Sequence, residues 1–561
     1  MINAEVKKER LSSIFSERWA GVTVFLLSLI YFAPECLAEL SFYDEGSVVY
    51  GAWRILDGDI PYRDFWSAYA PGQYYFVAFL FWLFGKSVLV ERVYNIITCA
   101  LIAVCVYSAA KKVSGTKMAL LSWFITIAYL SEAHPIGSLP AGLLLSMASC
   151  LCLLKYIDKR RVWWLFLTGA ATGTTVVFRH DFGFYVSVIN SIIIILFIYK
   201  AAAGNGCASS KAVIEAFRQW SIFVCGAAIV VLPVVLLLLS AAGFQELKAD
   251  LITFPMKIFP AYRRLPYPAP CVNPVEMFTG KMNAILFFEI FLSRVIYYLP
   301  VIYVVTIWQL VMLFRQKTKF SERQWMVLLF LLFGIAFFNY ARIRADTGHM
   351  TGTNIAAAIL LAASSASFDK TSPFRRQYLL RVITGFLVIA ALLSSCHFFI
   401  RYTVATTLSF RDKNIISLNV DGGECIREYY EVAEALQGAV DYIKEKVPAD
   451  ERIFVGNLQH DNILINDIMF YFLSNRCSAT KYHELHCGVA TTFSVQNHII
   501  QELKKYDVKY IVIFWAEDSI SKEPNKSSES SGVVILDDFI RANYIAVANF
   551  GYYGICRKIG I

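Results

Sequence analysis

Long apolar runs, separated by short polar connections, cover most of the first 400 residues of this 561-residue chain. A run of about 20 apolar residues is long enough to cross the hydrocarbon core of a bilayer as a helix. The pattern therefore predicts a polytopic α-helical membrane protein with about eleven transmembrane helices. The predicted spans are residues 19–38, 88–110, 117–131, 138–157, 162–178, 183–200, 220–243, 290–314, 325–341, 350–367 and 379–400.

The run at residues 73–85 is equally apolar but too short to cross a bilayer. If it did cross, every later connection would change sides, so we expect a helix that lies in the outer interface. The overall composition agrees with a membrane protein. Hydrophobic residues make up 57% of the chain and charged residues only 17%, which a soluble protein rarely shows.

Lysine and arginine accumulate in every second connection between the predicted spans. Such an excess marks the cytoplasmic side of a membrane protein. The pattern predicts a cytoplasmic N-terminus and an external C-terminal tail, in the inner or plasma membrane of the cell. The net charge of +9 follows from these connections and does not call for nucleic acid. The basic segments are residues 7–18, 111–117, 155–161, 200–218, 315–323 and 370–381.

The first external connection, residues 39–87, is unusually rich in carboxylates and aromatic side chains. Its candidate catalytic groups are Asp44, Glu45 and Asp64. Charges that lie among Trp and Tyr at a membrane face indicate an interfacial site. An ordinary solvated loop with an aromatic belt is the alternative. We expect this loop to belong to a transmembrane catalytic domain that covers residues 1–400.

Further charged clusters fall on the same predicted face of the membrane. A structural ion-pair network could explain any one of them. Each cluster costs several kcal/mol to embed without partners, so their presence on one side favours a shared site. The cluster residues are His134, then Arg179, His180 and Asp181, then Arg263 and Arg264, and finally Arg342, Arg344, Asp346 and His349.

The tail, residues 401–561, has the pattern of an external soluble α/β domain. Apolar residues at helical spacing predict an amphipathic helix over 424–447, and a second helix is predicted over 496–505. The segments ERIFVGN, VKYIVIFW, YIAVANF and YYGICRK predict strands. The tail has no glycine-rich phosphate loop. The pair His483 and His486 lacks a third ligand and is a weak metal motif.

Two segments of the membrane half resemble a known family. Asp44-Glu45-Gly46 and ILDGDIPYRDFWSAYAPGQYYFVAFLFWLFG resemble the bacterial glycosyltransferase family 39-like branch of the membrane GT-C superfamily, to which protein O-mannosyltransferases and lipid A aminoarabinose transferases belong. The segment that joins Arg342, Asp346 and His349 is similar to a recurrent motif of its bacterial members.

The resemblance implies a polyprenyl-phosphate-linked sugar donor, an external active site and inversion at the anomeric carbon. It places the acidic pair of the family's first external loop on Asp44 and Glu45. A second acidic position of that loop falls near Asp64. The expected partners are therefore the lipid-linked donor, the bilayer, and a glycan, lipid or protein acceptor.

The residue types also fit this chemistry by themselves. Transfer from a lipid phosphate needs a base that deprotonates the acceptor hydroxyl, and we assign this role to Asp44. Glu45 could instead hold a neighbouring arginine or tryptophan. Arginine offers a planar fork for phosphate oxygens. The candidate phosphate-binding residues are Arg179, Arg263, Arg264, Arg342, Arg344, Asp346 and His349, and the further candidates are His134, His180 and Asp181.

Several alternatives remain open at this stage. Asp44, Glu45 and Asp64 could hold Mg²⁺ or Mn²⁺ together with phosphate oxygens, although their spacing does not demand it. A transporter or flippase of lipid-linked sugars would need polar groups in the middle of the membrane, whereas the charges lie at the ends of the spans. A polysaccharide polymerase or ligase is a third alternative, and composition alone does not separate it from a transferase.

Overall fold

The computed structural model describes residues 19–134, 136–204, 208–269, 283–315, 320–366, 374–516 and 522–560. The basic N-terminal segment lies outside the described residues, as do residues 316–319 and 367–373 of two basic connections.

The membrane half is a bundle of helices, as predicted. Eight of the described helices are long and apolar enough to cross a bilayer. Each remaining predicted span is also a helix, although shorter or less apolar, so the number of eleven crossings stays a prediction. The eight are Trp19–Leu37 (α1), Val88–Ser114 (α4), Ser138–Lys159 (α6), His180–Ala203 (in α8), Ser209–Ala242 (α9), Ala284–Arg315 (α12), Glu322–Ala341 (α13) and Tyr378–Arg411 (in α15). The others are Thr116–Ala133 (α5), Trp163–Phe178 (α7) and Thr347–Ala366 (α14).

The connection between α1 and α4, which we predict to be the first external connection, contains two further helices, Asp44–Leu56 (α2) and Gly72–Phe84 (α3). Helix α3 is the predicted short apolar helix, and it exposes large side chains such as Phe79 and Trp82. Helix α2 was not predicted. Its residues 45–54 are all buried, because it lies between the helical bundle and the C-terminal domain.

Close backbone contact seats α2 on the C-terminal domain. A Cβ atom at Gly46 would lie 2.6 Å from the backbone nitrogen of Met469, so only glycine fits there. Further along α2, the Tyr50 ring stacks on Tyr471 with 4.9 Å between ring centroids. The Tyr50 hydroxyl accepts a hydrogen bond from the Ser478 backbone N–H at 2.6 Å.

A buried ion pair holds the other side of α2. The Nε and Nη2 atoms of Arg92 on α4 donate to the two carboxylate oxygens of Glu45, at 2.6 and 2.9 Å. Arg92 also donates to the backbone carbonyls of Ala38 and Glu39, which follow α1. One guanidinium therefore joins the end of α1, the start of α2 and the start of α4.

Between α9 and α12 the chain forms a short strap beside this region. Phe244–Lys248 (α10) leads into a π-helical stretch, Ala249–Ile258, which is followed by Phe259–Tyr262 (α11). The last membrane helix, Phe374–Arg411 (α15), continues beyond residue 400, so the C-terminal domain begins after Arg411.

The C-terminal domain is an α/β domain, as predicted. Its four-stranded sheet has the order β3-β4-β6-β5, with β3 and β4 parallel and the other pairs antiparallel. The predicted helix over 424–447 begins later, because residues 427–429 form a strand. The elements are Ile415–Ser417 (β1), Arg427–Tyr429 (β2), Tyr430–Lys446 (α16), Phe454–Asn457 (β3), Met469–Ser474 (α17), Phe493–Lys505 (α18), Tyr510–Phe514 (β4), Ile535–Asn543 (α19), Tyr544–Phe550 (β5) and Tyr553–Lys558 (β6).

This domain is not a separate lobe. One continuous hydrophobic cluster contains Val48 and Val49 of α2, Phe81 of α3, and Met469 and Phe470 of α17. The C-terminal domain and the first external connection therefore share a core, and this core determines where the N-terminus of α2 points.

We expect the substitution Glu45→Gln to destabilise the fold. It leaves the buried Arg92 without its anionic partner, and breaking a buried pair in this way typically costs about 3–5 kcal/mol. The measurement is the thermal unfolding temperature of the purified protein in detergent. Arg63→Gln is the control, because the Arg63–Asp64 pair is largely exposed. Equal unfolding temperatures for Glu45→Gln and the parent would show that this pair does not hold α2.

Candidate active site

A cavity of about 520 Å³ lies where the helical bundle, the first external connection, the strap and the C-terminal domain meet. It brings together residues that are far apart in the sequence. Seven of its lining residues were candidates from the sequence alone. They are Asp44, His134, Arg179, Arg263, Arg344, Asp346 and His349.

Asp44 is the first residue of α2, where the positive end of the helix dipole favours a carboxylate. The side chain is open to the cavity, and protein groups lie around it on most sides. This burial raises the pKa of Asp44 above its ordinary value. The nearby charges of Arg263, His349 and Arg344 oppose the rise. Asp44 thus combines a partly desolvated carboxylate with cations that favour its ionised form.

Arg179 lies at the end of α7 and is almost fully buried. Its guanidinium forms a bidentate pair with Asp181, at 3.0 and 2.8 Å. The rings of Tyr69 and Phe182 lie 4.7 and 4.3 Å from its guanidinium carbon. Stacking and pairing together hold this cation rigidly at the cavity wall.

Arg344 and Arg263 form a second cationic group. The Nη1 and Nη2 atoms of Arg344 donate to both carboxylate oxygens of Glu523, at 2.9 and 2.7 Å. Arg263 lies 3.5 Å from the same carboxylate. Both arginines therefore converge on one carboxylate of the C-terminal domain, and Arg344 holds it in the forked geometry that arginine also uses for phosphate.

Asp346 and His349 fix the position of Arg344 from the other side. Asp346 accepts hydrogen bonds from the His349 backbone N–H at 2.8 Å and from Arg344 Nε at 2.8 Å, and lies 2.7 Å from His349 Nδ1. Burial raises the pKa of Asp346, but the His349 and Arg344 contacts outweigh it and lower the pKa to about 2. Asp346 thus carries a full negative charge at neutral pH.

Several sequence-predicted residues do not line the cavity. Glu45 lies on the opposite side of α2 and pairs with Arg92, which is the alternative role of holding a neighbouring arginine that the sequence offered for it. Asp64 lies in the connection that follows α2. It pairs with Arg63 and accepts a hydrogen bond from the Ile60 backbone N–H at 2.7 Å. The remaining ones are Arg264, Arg342, His180 and Asp181.

These four differ in their surroundings. Arg264 and Arg342 are exposed, and Arg342 donates to Asn339 at 2.8 Å. Asp181 pairs with the cavity residue Arg179. His180 begins α8 and is not part of the cavity wall.

The C-terminal domain contributes two ionisable cavity residues: Glu484, which the sequence reasoning missed, and His486, which it considered only as part of a weak metal motif. Glu484 and His486 line the cavity, and both are buried. Burial raises the pKa of Glu484 to about 8, and the charge of Asp44 adds to this effect. Burial also lowers the pKa of His486 to about 3. The only signal in the sequence was a charged residue within the segment YHELHC.

The residues present do not form a metal site of the kind considered from the sequence. Asp44, Glu45 and Asp64 have different neighbours and do not converge. His483 points away from His486, since its Nδ1 lies 3.1 Å from Arg54 Nη1 behind α2. Within the part of the chain that the structure describes, no three His, Cys, Asp or Glu side chains are grouped closely enough to hold an ion.

The helical bundle and the small α/β domain form a multi-pass membrane protein with an overall fold that solved structures share. Among solved structures, the chain is similar to ArnT from Cupriavidus metallidurans bound to undecaprenyl phosphate. The TM-score is 0.53 at 13% identity, and the similarity covers 97% of this chain and 98% of that chain.

Two further solved structures extend the comparison. The apo state of the same ArnT gives a TM-score of 0.52 at 13% identity, over 97% of this chain and 98% of that chain. The Archaeoglobus fulgidus oligosaccharyltransferase, in complex with Zn and sulfate, gives 0.48 at 12% identity, over 88% and 68%. No sequence-family model and no curated protein sequence matches the chain. The likeness is therefore one of fold.

Proposed function

We propose that this protein is an inverting glycosyltransferase that moves a sugar from a polyprenyl-phosphate-linked donor to a hydroxyl of a cell-envelope acceptor. The observation that carries the proposal is the cavity itself, in which the Asp44 carboxylate lies near Arg263 and Arg344. The shared fold with an ArnT that binds undecaprenyl phosphate supports a lipid-linked donor.

In the proposed reaction, Asp44 takes the proton of the acceptor hydroxyl as general base. The acceptor oxygen then attacks the anomeric carbon from the side opposite the phosphate. A new carbon–oxygen bond forms while the bond to the phosphate oxygen breaks, and the phosphate leaves with the electron pair. Attack from the opposite side inverts the configuration. A strong general acid is not needed, because a phosphodiester already contains a good leaving group.

The cations of the cavity suit the phosphate of the donor. Arg263 and Arg344 already hold one anionic group, the carboxylate of Glu523. We propose that the donor phosphate binds to these arginines in competition with Glu523. Arg179 lies on the same cavity wall, but its charge is compensated by Asp181. It therefore contributes a fixed hydrogen-bonding surface rather than an excess positive charge.

A second cavity of about 410 Å³ is a candidate for the acceptor. It shares Leu40, Ser41, His134 and Ile136 with the first cavity, so the two are separated by a thin wall next to Asp44. An acceptor that lies in the second cavity and extends its hydroxyl past these four shared residues would reach the proposed base, Asp44. The charged residues of the second cavity are Glu35, Glu39, Glu132, His134, Arg401 and Arg427.

We further propose that both cavities face the outside of the cell membrane. Some basic connections meet at one end of the bundle, where Lys112 pairs with Asp158 and Arg160 pairs with Glu322. The cavities lie among the alternate connections, which carry few lysines. The positive-inside tendency therefore supports an external catalytic cavity.

The central test is the substitution Asp44→Asn. We expect turnover to fall by about a hundredfold or more, which is the scale of a lost general base, while donor binding and unfolding temperature stay close to those of the parent. The assay follows consumption of a purified polyprenyl-phosphate sugar in the presence of an acceptor. Asp57→Asn is a matched control, because this carboxylate lies at the far end of the same helix.

Two outcomes of that assay would contradict the proposal. Turnover by Asp44→Asn at the parent rate would remove Asp44 as the base. Failure of the unmodified protein to bind or consume any polyprenyl-phosphate sugar would contradict the transferase function itself.

Two substitutions with opposite expected effects on donor affinity test the proposed position of the phosphate. Arg344→Lys keeps the charge but loses the fork, so donor affinity should fall about tenfold, the worth of one charge-assisted hydrogen bond. Glu523→Gln removes the competing anion, so donor affinity should rise. Donor binding is measured by titration of the detergent-solubilised protein. Arg342→Lys is the control, because this exposed arginine is outside the cavity. Unchanged affinity in both test variants would place the phosphate elsewhere.

Orientation is tested by cysteine labelling in a background without accessible cysteines. A membrane-impermeant maleimide should label Lys526→Cys, in the C-terminal domain, in intact cells. It should label Lys117→Cys, in a basic connection, only after permeabilisation. Both residues are exposed, so access depends on the membrane alone. The reverse pattern would place the cavity on the cytoplasmic side.

A further inference from the structure

Glu484 is a buried carboxyl group that lines the cavity. The proposed reaction assigns it no role. Glu484 is 3% exposed and comes from the C-terminal domain. The Tyr43 hydroxyl donates a hydrogen bond to its Oε1 at 2.5 Å. Among the described residues, no lysine, arginine or histidine forms an ion pair with it, and its Oε2 has no hydrogen-bond partner. A buried carboxylate without a cation is costly, so this environment favours the neutral acid.

The groups that face Glu484 come from four parts of the chain and include no strong cation contact. From the start of α2 come Tyr43 and Asp44, and from residues 69–74, which run into α3, come Tyr69 and Tyr74. The π-helical stretch contributes Asp250, and His486 lies two residues further along the chain. The two carboxylates among these groups raise the pKa of Glu484, whereas the Tyr43 hydrogen bond lowers it.

Asp44 and Glu484 therefore differ in whether their surroundings favour the ionised carboxylate or the neutral acid. Asp44 has Arg263, Arg344 and His349 nearby, which favour the charged form. Glu484 has none of these as a contact, and the charge of Asp44 disfavours its ionisation. Two carboxyl groups at one site whose surroundings separate their pKa values typically take opposite roles.

We propose that Glu484 is a hydrogen-bond donor of the reaction: it stays protonated and donates from Oε2 to a phosphate oxygen of the donor, while Asp44 accepts the proton of the acceptor. The inference rests on the proposed glycosyltransferase function. The Tyr43 hydroxyl occupies Oε1, which leaves the proton on Oε2. A neutral acid adds a donor without placing another negative charge beside the phosphate. No proton leaves Glu484 in this role.

The position of Tyr43 couples the two groups. Tyr43 directly precedes Asp44, so the same turn that presents the base also holds the carboxyl group of Glu484. The hydrogen bond between Tyr43 and Glu484 spans 441 residues of sequence. Glu484 is therefore aligned with Asp44 only when the C-terminal domain is seated on α2.

The experiment is the pH profile of turnover for the full-length protein in detergent, with a purified polyprenyl-phosphate sugar as substrate. Glu484 is neutral below its pKa of about 8 and loses its proton above it. Parent turnover should therefore fall as pH rises through about 8. Glu484→Gln cannot ionise and still offers an N–H donor, so it should retain most of the turnover at pH 7 and lose the alkaline fall. Glu484→Ala should lose about a hundredfold at pH 7, the scale of one missing donor to a developing oxyanion.

A second variant keeps the inference testable if the Glu484 variants fold poorly. Tyr43→Phe removes the hydrogen bond that lowers the pKa of Glu484, so the alkaline fall should move to higher pH. Asp467→Asn is the matched control. Asp467 is a buried carboxyl group of the same domain that accepts a hydrogen bond from the Tyr553 hydroxyl at 2.7 Å, and burial raises its pKa to about 7. It does not line the cavity, so its variant should change stability but not the pH profile.

The outcomes separate this inference from the proposed function. An active parent together with an unchanged alkaline fall in Glu484→Gln would overturn the role of Glu484 and leave the transferase function standing. The same alkaline change in Asp467→Asn would attribute the effect to domain stability and would also overturn it. A parent that neither binds nor consumes the donor would contradict the transferase function, and this inference with it.

Discussion

Helix α2 is buried on both sides although it directly follows a membrane helix, and the position of the cavity groups depends on that burial. On one side Glu45 pairs with Arg92 of α4. On the other side Gly46 lies against the backbone of Met469. Because neighbouring residues of a helix point about 100° apart, the contacts of Glu45 and Gly46 leave Asp44 facing the cavity. The acidic pair at the start of α2 is thus divided between Glu45, which belongs to a structural ion pair, and Asp44, which lines the cavity.

Charge balance is the second constraint on the cavity. Its three arginines would be costly to bury alone, and each has an internal anion: Asp181 for Arg179, Glu523 for Arg263, and both Asp346 and Glu523 for Arg344. Asp346 comes from the membrane half, whereas Glu523 comes from the C-terminal domain. The proposed donor phosphate would replace Glu523 without disturbing the Arg344–Asp346 pair beside it. The geometry therefore permits an anion to enter while Arg344 keeps one partner throughout.

Local and long-range features differed in how far the sequence could predict them. The helical bundle follows from apolar runs, and the strands 454–457 and 510–514 follow from β-branched residues, because both signals are local. The burial of α2 depends on Arg92 and Tyr471, which no local pattern connects to it. The predicted order of membrane crossings was enough to place Asp44, Arg263 and Arg344 at the same membrane face.

Glu484 lay beyond such reasoning, because its partner Tyr43 is 441 residues away and its unusual environment arises only on folding. The same contact explains why the C-terminal domain cannot be regarded as an accessory module. Its hydrophobic core is continuous with α2 and α3, and its Glu484, His486 and Glu523 all contact the cavity or the cavity arginines. Separation of the domain would expose that core, leave Arg344 with one anion, and release the turn that presents Asp44. The cavity is thus formed at the interface between the membrane half and the domain, and neither part contains it alone.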